Sequence, residues 1–149
     1  HAPTNRFYKG SDVIINICET LQAEGEIEFD LIENVSHSVA ISRKLKSDIF
    51  IDQIGNKGGW GYGMNSVESL AMGICTLTEM NEVYNSFIPN HPFINVNADS
   101  LEAELRILIK NREKILTQGK KGKIWVEKKH DINNVANKLY NYYETLGLQ

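Results

Sequence analysis

The residues whose types and spacing best suit ligand binding lie in a glycine-rich run and in the short apolar helix predicted after it. Gly61-Tyr62-Gly63-Met64 has no regular periodicity, and Glu68 falls one turn into that helix. Backbone N–H groups in such a loop, together with the positive end of the helix dipole, attract an anion such as phosphate. The Glu68 carboxylate accepts hydrogen bonds without carrying a donor, which suits the hydroxyls of a ribose or another sugar.

Two cations, Arg6 and Lys9, stand in an aperiodic stretch at residues 1–10, just before another predicted helix. A diphosphate concentrates negative charge and needs fixed cations or N–H donors, so both side chains are candidate phosphate ligands. Other interpretations remain open. The two cations would then be solvated loop residues, Glu68 a helix-start carboxylate favoured by the dipole, and the glycines of 61–63 tight-turn residues.

Four further residues are weaker candidates for the same site. Trp60 is either a pocket wall or a loop residue that packs on another domain. His37 either borders a nucleotide base or only begins a surface helix. Asp52 and Gln53 end a buried strand pattern, at the edge where ligands of parallel sheets bind.

Composition bounds the class of protein. The 149 residues suffice for one compact domain, which we expect to span residues 1–149, and they carry a formal net charge of −3. Because no basic patch with interleaved aromatic residues is present, nucleic acid is not expected as a partner. The run Lys120-Lys121-Gly122-Lys123 is interpreted as a solvated helix start.

The cysteines and histidines indicate no metal or disulfide. Cys18 and Cys75 each lie in an apolar run, so we expect both to be buried as small hydrophobic residues. Neither they nor the four histidines have metal-ligand spacing, and a reducing cytoplasm is the simplest setting. No apolar run reaches transmembrane length, and no signal peptide is expected.

Strand-like and helical patterns alternate along the chain. Such alternation is typical of a parallel sheet with helices on both faces, whose ligands bind at the carboxyl ends of the strands. We expect strands at 27–32, 48–52, 74–78 and 93–96, and helices at 11–25, 36–46, 64–73, 79–87, 101–119, 120–129 and 131–146. Expected caps are Ser11, Asp99 with Glu102, and Asp131. The loops at 3–10, 34–37, 53–63 and 78–81 would then converge on one crevice.

The first ten residues form an unusual entry into an α/β domain. Residues 1–10 read as a loop, whereas such a domain normally begins with a buried strand. We therefore expect the chain to be a fragment that starts near the end of a first strand.

Together these residues resemble the signature of retaining glycosyltransferases of the GT-B fold, in their carboxy-terminal, nucleotide-sugar-binding domain. Gly61-Tyr62-Gly63 matches the Gly-aromatic-Gly loop, Glu68 the second glutamate, and Ala71-Met72-Gly73 the end of a small-residue helix. Lys9-Gly10 resembles the Lys-Gly pair that opens the same domain. The resemblance covers essentially the whole chain and implies a Rossmann-like fold, the C-terminal half of GT-B.

The chain departs from this signature at two places. Trp60 occupies the position of the first glutamate, a residue that the family places near the transferred sugar. The family also commonly separates an arginine and a lysine by four residues, whereas Arg6 and Lys9 lie closer together.

The resemblance implies a donor-binding domain that takes part in sugar transfer from a nucleotide diphosphate sugar, as in glycan or cell-surface polysaccharide synthesis, without a metal or other cofactor. Arg6, Lys9, Gly61, Tyr62, Gly63, Met64 and Glu68 would bind the donor, and no catalytic residue is assigned. An amino-terminal domain outside this sequence would bind the acceptor and make any peripheral membrane contact. The domain alone would therefore not transfer sugar.

Two alternatives stay open. Trp60 favours a non-catalytic nucleotide-sugar-binding or regulatory module of the same fold. Another sugar-nucleotide enzyme of this fold, such as an epimerase, is the third option.

Overall fold

The computed structural model describes residues 1–57 and 61–148, which form a mixed α/β structure around a small, open parallel sheet. Within these residues the sheet has three strands in the order β1-β2-β3. Phe50 pairs with Thr76, and Leu77 pairs with Ile94, both in parallel. The strands are β1 (Ile49–Ile51), β2 (Cys75–Thr78) and β3 (Ile94–Asn95), as the sequence predicted to within two residues at each end.

Helices connect and flank these strands in sequence order. The α4 helix follows β1 and precedes β2, so these three elements form a βαβ unit. The helices are α1 (Arg6–Lys9), α2 (Ser11–Ala23), α3 (His37–Lys44), α4 (Met64–Ala71), α5 (Glu82–Phe87), α6 (Leu101–Ile109), α7 (Arg112–Lys129) and α8 (Ile132–Thr145).

The largest apolar cluster joins the sheet to α2 and α6. Ile14 and Leu21 of α2, Leu77 of β2, and Leu101 and Leu108 of α6 all have no measurable exposure. The expected burial of both cysteines is confirmed. Burial raises the pKa of Cys18 to about 11 and that of Cys75 to about 12, so both thiols are neutral and act as apolar core groups.

The predicted break between two helices at Gly119 is wrong. One helix, α7, runs through this position, and the break lies earlier, where the Asn111 side chain accepts a hydrogen bond from the N–H of Lys114 at 3.0 Å. A Cβ atom on Gly119 would overlap the carbonyl oxygen of Gly73. This glycine therefore allows α7 to approach the backbone just before β2, and it does not end a helix.

The predicted strand at 27–32 is wrong, since these residues are assigned no regular structure and are not part of the sheet. The N–H of Ile32 donates to the carbonyl of His1 at 2.8 Å, and the amino group of His1 donates to the carbonyl of Asp30 at 3.1 Å. The Phe29 N–H instead donates to the Gln22 side chain at 2.7 Å. The alternating pattern did not produce a strand here, because a strand also needs a neighbour along its length.

Three predictions about helix starts differ from the structure. Residues 6–9 form a single helical turn, α1, rather than a loop, because Asn5 accepts from the N–H of Tyr8 at 3.2 Å. Gly10, with φ of +61°, takes the capping position before α2, so Ser11 lies inside the helix. Asp99 caps nothing, since Asn97 accepts from the N–H groups of this turn.

The cap expected at Asp131 is confirmed. Its carboxylate accepts from the N–H groups of Asn133 and Asn134, both at 3.0 Å, at the start of α8. No residue of α8 is buried, although Ile132, Val135 and other apolar side chains lie along it. Among the described residues, no helix combines the length and apolarity needed to cross a membrane.

Candidate functional site

Asp52, the residue directly after β1, is the centre of a buried polar cluster. Its side chain is 1% exposed, and the Lys9 ammonium lies 2.5 Å from Oδ1. The other oxygen, Oδ2, accepts from the hydroxyl of Ser66 at 2.6 Å and from the N–H of Gly63 at 3.2 Å. The α4 helix has no capping side chain of its own at Gly63, and the Asp52 carboxylate instead holds the helix start through the Gly63 N–H and the Ser66 hydroxyl.

The Lys9 ammonium lies next to Gly63, at the start of α4. Its side chain is 14% exposed, and its ammonium also donates to Gln53 Oε1 at 3.3 Å. A Cβ atom on Gly63 would lie 3.4 Å from Lys9 Nζ, which is ordinary van der Waals contact. The structure therefore brings together Lys9, Asp52, Gln53 and Gly63 at the carboxyl end of β1.

A second polar cluster surrounds Glu68, one turn further along α4. Glu68 Oε2 accepts from the Lys44 ammonium at 2.7 Å, and Oε1 lies 3.0 Å from His37 Nε2. The Lys44 side chain is 1% exposed, and its ammonium also donates to Asn65 Oδ1 at 2.5 Å and lies 5.1 Å from the centre of the Phe50 ring. Glu68 thus neutralises a buried cation and keeps one quarter of its own surface exposed.

The charge state of Glu68 follows from these neighbours. Burial by itself raises the pKa of the Glu68 carboxyl, but hydrogen bonds from Lys44 and His37 outweigh burial and bring the pKa below its usual range. The side chain is therefore ionised at neutral pH and acts only as an acceptor. His37, one of the weaker candidates, is three-quarters exposed, and its ring contacts Glu68.

Arg6 lies with a different partner. Its Nε and Nη2 atoms donate to the two carboxylate oxygens of Glu33 at 2.8 and 2.6 Å, on the surface. That hydrogen bonding lowers the pKa of Glu33 and raises the pKa of Arg6. The structure therefore separates the predicted pair of cations, because Lys9 turns inward to Asp52 and Arg6 turns outward to Glu33.

The rest of the predicted loop is divided between core and surface. Gly61 has φ of +78° and accepts at its carbonyl from the Thr78 hydroxyl at 2.9 Å. The Tyr62 ring packs on Phe93 and Trp125, with centroid distances of 5.0 and 5.8 Å, and burial raises its pKa. Met64 is 73% exposed. The prediction for Trp60 lies outside the described residues.

Sequence reasoning missed the residues that hold these clusters together. Lys44, Asn65 and Ser66 had no assigned role, yet they bind Glu68 or Asp52 directly. The spacing of three residues between Asn65 and Glu68, which puts both on one helix face, was the available signal. Lys44 gave no signal, because a lysine in the last turn of a helix is normally solvated.

The side chains of the two clusters can bind a ligand, but none of them is assigned as a reacting group. The Lys9 ammonium and the Gly63 N–H lie at Asp52, directly after β1, and the partly exposed Glu68 carboxylate lies further along α4 beside Lys44. In the part of the chain that the structure describes, no three histidine, cysteine or acidic side chains are placed to hold a metal ion. Comparisons with protein-family models, with curated proteins and with solved structures gave no match.

Proposed function

We propose that this chain is the nucleotide-sugar-binding domain of a retaining glycosyltransferase, with a Rossmann-like fold that corresponds to the carboxy-terminal half of GT-B. The observation that supports it most is the position of Lys9, whose ammonium lies against Gly63 at the start of α4 and beside the end of β1. A cation, a helix start and a strand end together suit a diphosphate. The cytoplasm, where nucleotide sugars serve glycan and polysaccharide synthesis, is the proposed location.

Lys9 and Glu68 have roles in this proposal that their present contacts permit. Two donors of Lys9 are directed to Asp52 and Gln53, and an ammonium has a third for a phosphate oxygen. Both oxygens of Glu68 already accept one hydrogen bond, and each can accept a second from a ribose hydroxyl. Arg6 would have to leave Glu33 before it could reach a phosphate.

Thermal stability in the presence of nucleotides tests the proposal. UDP, GDP, ADP and their sugar conjugates are compared with the nucleosides alone. A ligand that binds only the folded chain stabilises it by about 2.7 kcal/mol at a hundredfold excess over its dissociation constant. We expect one base series to raise the melting temperature, with the diphosphates more effective than the nucleoside. Absence of any shift at millimolar nucleotide would contradict the proposal.

The proposed contact between Glu68 and ribose has a sharper test. The Glu68→Gln substitution removes one acceptor oxygen and the charge, so ribonucleotide binding is expected to weaken by about 1–3 kcal/mol. A 2′,3′-dideoxy nucleotide should bind the unmodified protein weakly, and the substitution should then change little. Additive losses would show that the carboxylate and the ribose do not meet. Glu24→Gln is the matched control, since Glu24 pairs with Arg106 on another part of the surface.

A non-catalytic binding or regulatory module is the second candidate, and the observation that favours it is Trp60 at the position of the first glutamate of the resembled signature. Both candidates bind the nucleotide sugar. We expect residues 1–149 alone to form no glycoside from it, and only a chain that also carries an acceptor-binding domain to do so. Nucleotide binding without turnover by such a longer chain would identify the module.

A further inference from the structure

The α7 helix carries a concentration of positive charge. It has seven lysine and arginine residues against two glutamates, a net charge of +5, whereas the whole chain has a net charge of −3. Arg112 pairs with Asp48, and Lys114 pairs with Glu104. The other five cations are exposed, and within the described residues their side chains have no hydrogen bond or ion pair: Lys120, Lys121, Lys123, Lys128 and Lys129. Five uncompensated charges within ten residues make this surface strongly positive.

Packing on the opposite face of α7 fixes the direction of these lysines. Gly119 lies against the carbonyl of Gly73, and Gly122 lies against the Leu70 side chain, so both glycines face the rest of the domain. Trp125 is buried on the same side. Because a helix turns by 3.6 residues, positions 116, 120 and 124 then lie along the outward face, with 121 and 128 on one flank and 123 on the other. The buried glycines thus turn the lysine run outward.

Two apolar side chains lie in the same outward row as the lysines. Leu116 is 51% exposed and Ile124 is 65% exposed. They lie one helical turn before and one turn after Lys120, so the ammonium stands between two exposed aliphatic groups. A lysine in such a place lays its methylene stem along apolar surface and keeps its charge at the polar boundary. The two glutamates of α7, Glu113 and Glu127, lie outside the segment 116–124.

We propose that the outward face of α7 is a docking surface for a lipid bilayer that contains anionic lipids. In this orientation Lys120, Lys121 and Lys123 lie at the level of the lipid phosphates, and Leu116 and Ile124 enter the zone between headgroups and acyl chains. Each lysine near an anionic surface raises the affinity by about fivefold. The rest of the chain has a net charge of −8 and is repelled by the same surface, so the domain is oriented with α7 towards the lipid.

The exposed aliphatic pair favours a lipid surface over a nucleic acid. A basic surface that binds single-stranded nucleic acid commonly adds aromatic side chains on which bases stack. The exposed side chains of the segment 116–124 are three lysines, one threonine, Leu116 and Ile124, with no aromatic residue among them. Leucine and isoleucine gain free energy on leaving water for an apolar phase, which a phosphodiester backbone does not offer. Lys9 and Glu68 are not part of this surface, so the inference does not depend on the proposed nucleotide site.

Co-sedimentation of the unmodified protein with vesicles tests the proposal. Vesicles of phosphatidylcholine alone are compared with vesicles in which part of it is replaced by phosphatidylglycerol, at low and at high salt. We expect binding to the anionic vesicles to be stronger by at least about tenfold, and to weaken as salt rises, because salt screens exposed charges. Equal binding to the two kinds of vesicle, or no binding to either, would overturn the proposal.

A pair of lysine substitutions locates the binding surface. Lys120→Gln combined with Lys121→Gln should weaken binding to the anionic vesicles by about thirtyfold, the product of about fivefold for each charge. Lys46→Gln combined with Lys57→Gln is the matched control, since it removes the same charge from two other exposed lysines. It should change the binding much less. Equal losses in the two double variants would show that α7 is not the docking surface.

The apolar pair has its own test, which also separates lipid from nucleic acid. Leu116→Gln combined with Ile124→Gln keeps every charge and should weaken binding to the anionic vesicles by at least about tenfold. A short DNA duplex is the second probe, because it attracts the same lysines without an apolar interior. Vesicle binding that this variant leaves unchanged, or binding to the duplex without binding to the vesicles, would overturn the proposal. Melting temperatures check the fold, and the single substitutions Lys121→Gln and Ile124→Gln replace any pair that lowers them.

Discussion

Lys9, which the sequence predicted as a ligand-binding cation, also has a structural role because it pairs with the Asp52 carboxylate. The carboxylate is buried, and its partners come from α1, from the loop before α4 and from α4 itself. Among these donors, Lys9 is the one that carries a charge to compensate that of the carboxylate. Lys9 therefore fixes the start of α2 and α4 relative to β1 whether or not it also binds a phosphate.

The first prediction concerns this pair. Lys9→Met keeps most of the side-chain volume and removes the ammonium, so Asp52 is left as a buried charge without a cation. We expect a loss of about 3–5 kcal/mol in the free energy of unfolding, measured by urea denaturation. Adding Asp52→Asn to Lys9→Met should recover part of that loss, since the uncompensated charge is then removed as well.

The Arg6–Glu33 pair provides the control for this prediction. Arg6 is about half exposed and its pair lies at the surface, so Arg6→Met should cost much less stability than Lys9→Met. If Lys9→Met and Arg6→Met cost the same, the burial of Asp52 has no energetic consequence and the structural role assigned to Lys9 is wrong.

The second prediction is a pH dependence that arises at His1. The pKa of its amino group is about 6 in the folded chain and has an ordinary value of 8.0, so the unfolded chain binds more protons between these values. Stability should then be complete above pH 8 and decline as the pH falls towards 6, by up to about 2.7 kcal/mol for a shift of two units. The free energy of unfolding measured from pH 5.5 to 8.5 checks this.

A chain with glycines and serines added before His1 is the control for the pH profile. Its amide does not titrate, whereas the histidines that titrate in the same range are unchanged. The lowered pKa values of His91 and His130 therefore contribute equally to both chains. Identical profiles for the two chains would show that the amino group of His1 is solvated in the folded state.

At the scale of elements, α7 is placed by two glycines on one face. Gly119 meets the carbonyl of Gly73, and a Cβ atom on Gly122 would lie 2.5 Å from Leu70 Cδ2. These contacts let the helix axis approach β2 and α4 more closely than any larger residue allows. Helix propensity alone would favour alanine at both positions by about 1 kcal/mol, so the glycines are explained by packing.

The third prediction separates these two contacts. Gly119→Ala forces a Cβ atom against backbone that has no room to move, and we expect a loss of about 1–3 kcal/mol or more in unfolding free energy. Gly122→Ala meets only the end of the Leu70 side chain, which can change rotamer, so its cost should be smaller. A gain in stability for Gly119→Ala would mean that propensity outweighs packing and that α7 lies further from Gly73.

At the scale of the whole molecule, sequence patterns predicted what local residues decide. The apolar runs at 49–51 and 75–78 gave strands, because β-branched and aromatic residues between turn residues have few other places in a fold. The Asp131 cap was equally local. These features, with the parallel order of the sheet, make up most of the architecture around the candidate site.

Features that depend on distant residues could not be predicted in the same way. The 27–32 segment has the pattern of a strand, but its pairing is set by His1, about thirty residues away. Lys9 and Glu68 were chosen as ligand-binding residues, whereas their partners Asp52 and Lys44 lie 43 and 24 residues away in sequence. Nothing in a lysine's local sequence indicates whether its ammonium meets solvent, a carboxylate or a ligand.

The last prediction concerns how much of the molecule the stable domain needs. No side chain of α8 is buried, and Tyr142 and Ile132 are 70% and 78% exposed. The hydrogen bond from Asn134 Nδ2 to the carbonyl of Glu127, at 3.2 Å, joins α8 to the end of α7. Removal of residues 132–149 therefore exposes little apolar surface, and we expect the free energy of unfolding to change by less than about 1 kcal/mol.

Trp125→Ala provides the comparison for this truncation. Trp125 is 9% exposed in α7 and packs on Tyr62 and Phe93, so its removal should cost about 3–5 kcal/mol in the same urea titration. The truncated chain should also keep the amide spectrum of residues 1–131. A loss above about 2 kcal/mol on truncation would show that α8 packs its apolar side chains against the domain in solution. The free energy of unfolding would then depend on α8 as well as on the core formed by α2, α6, α7 and the sheet.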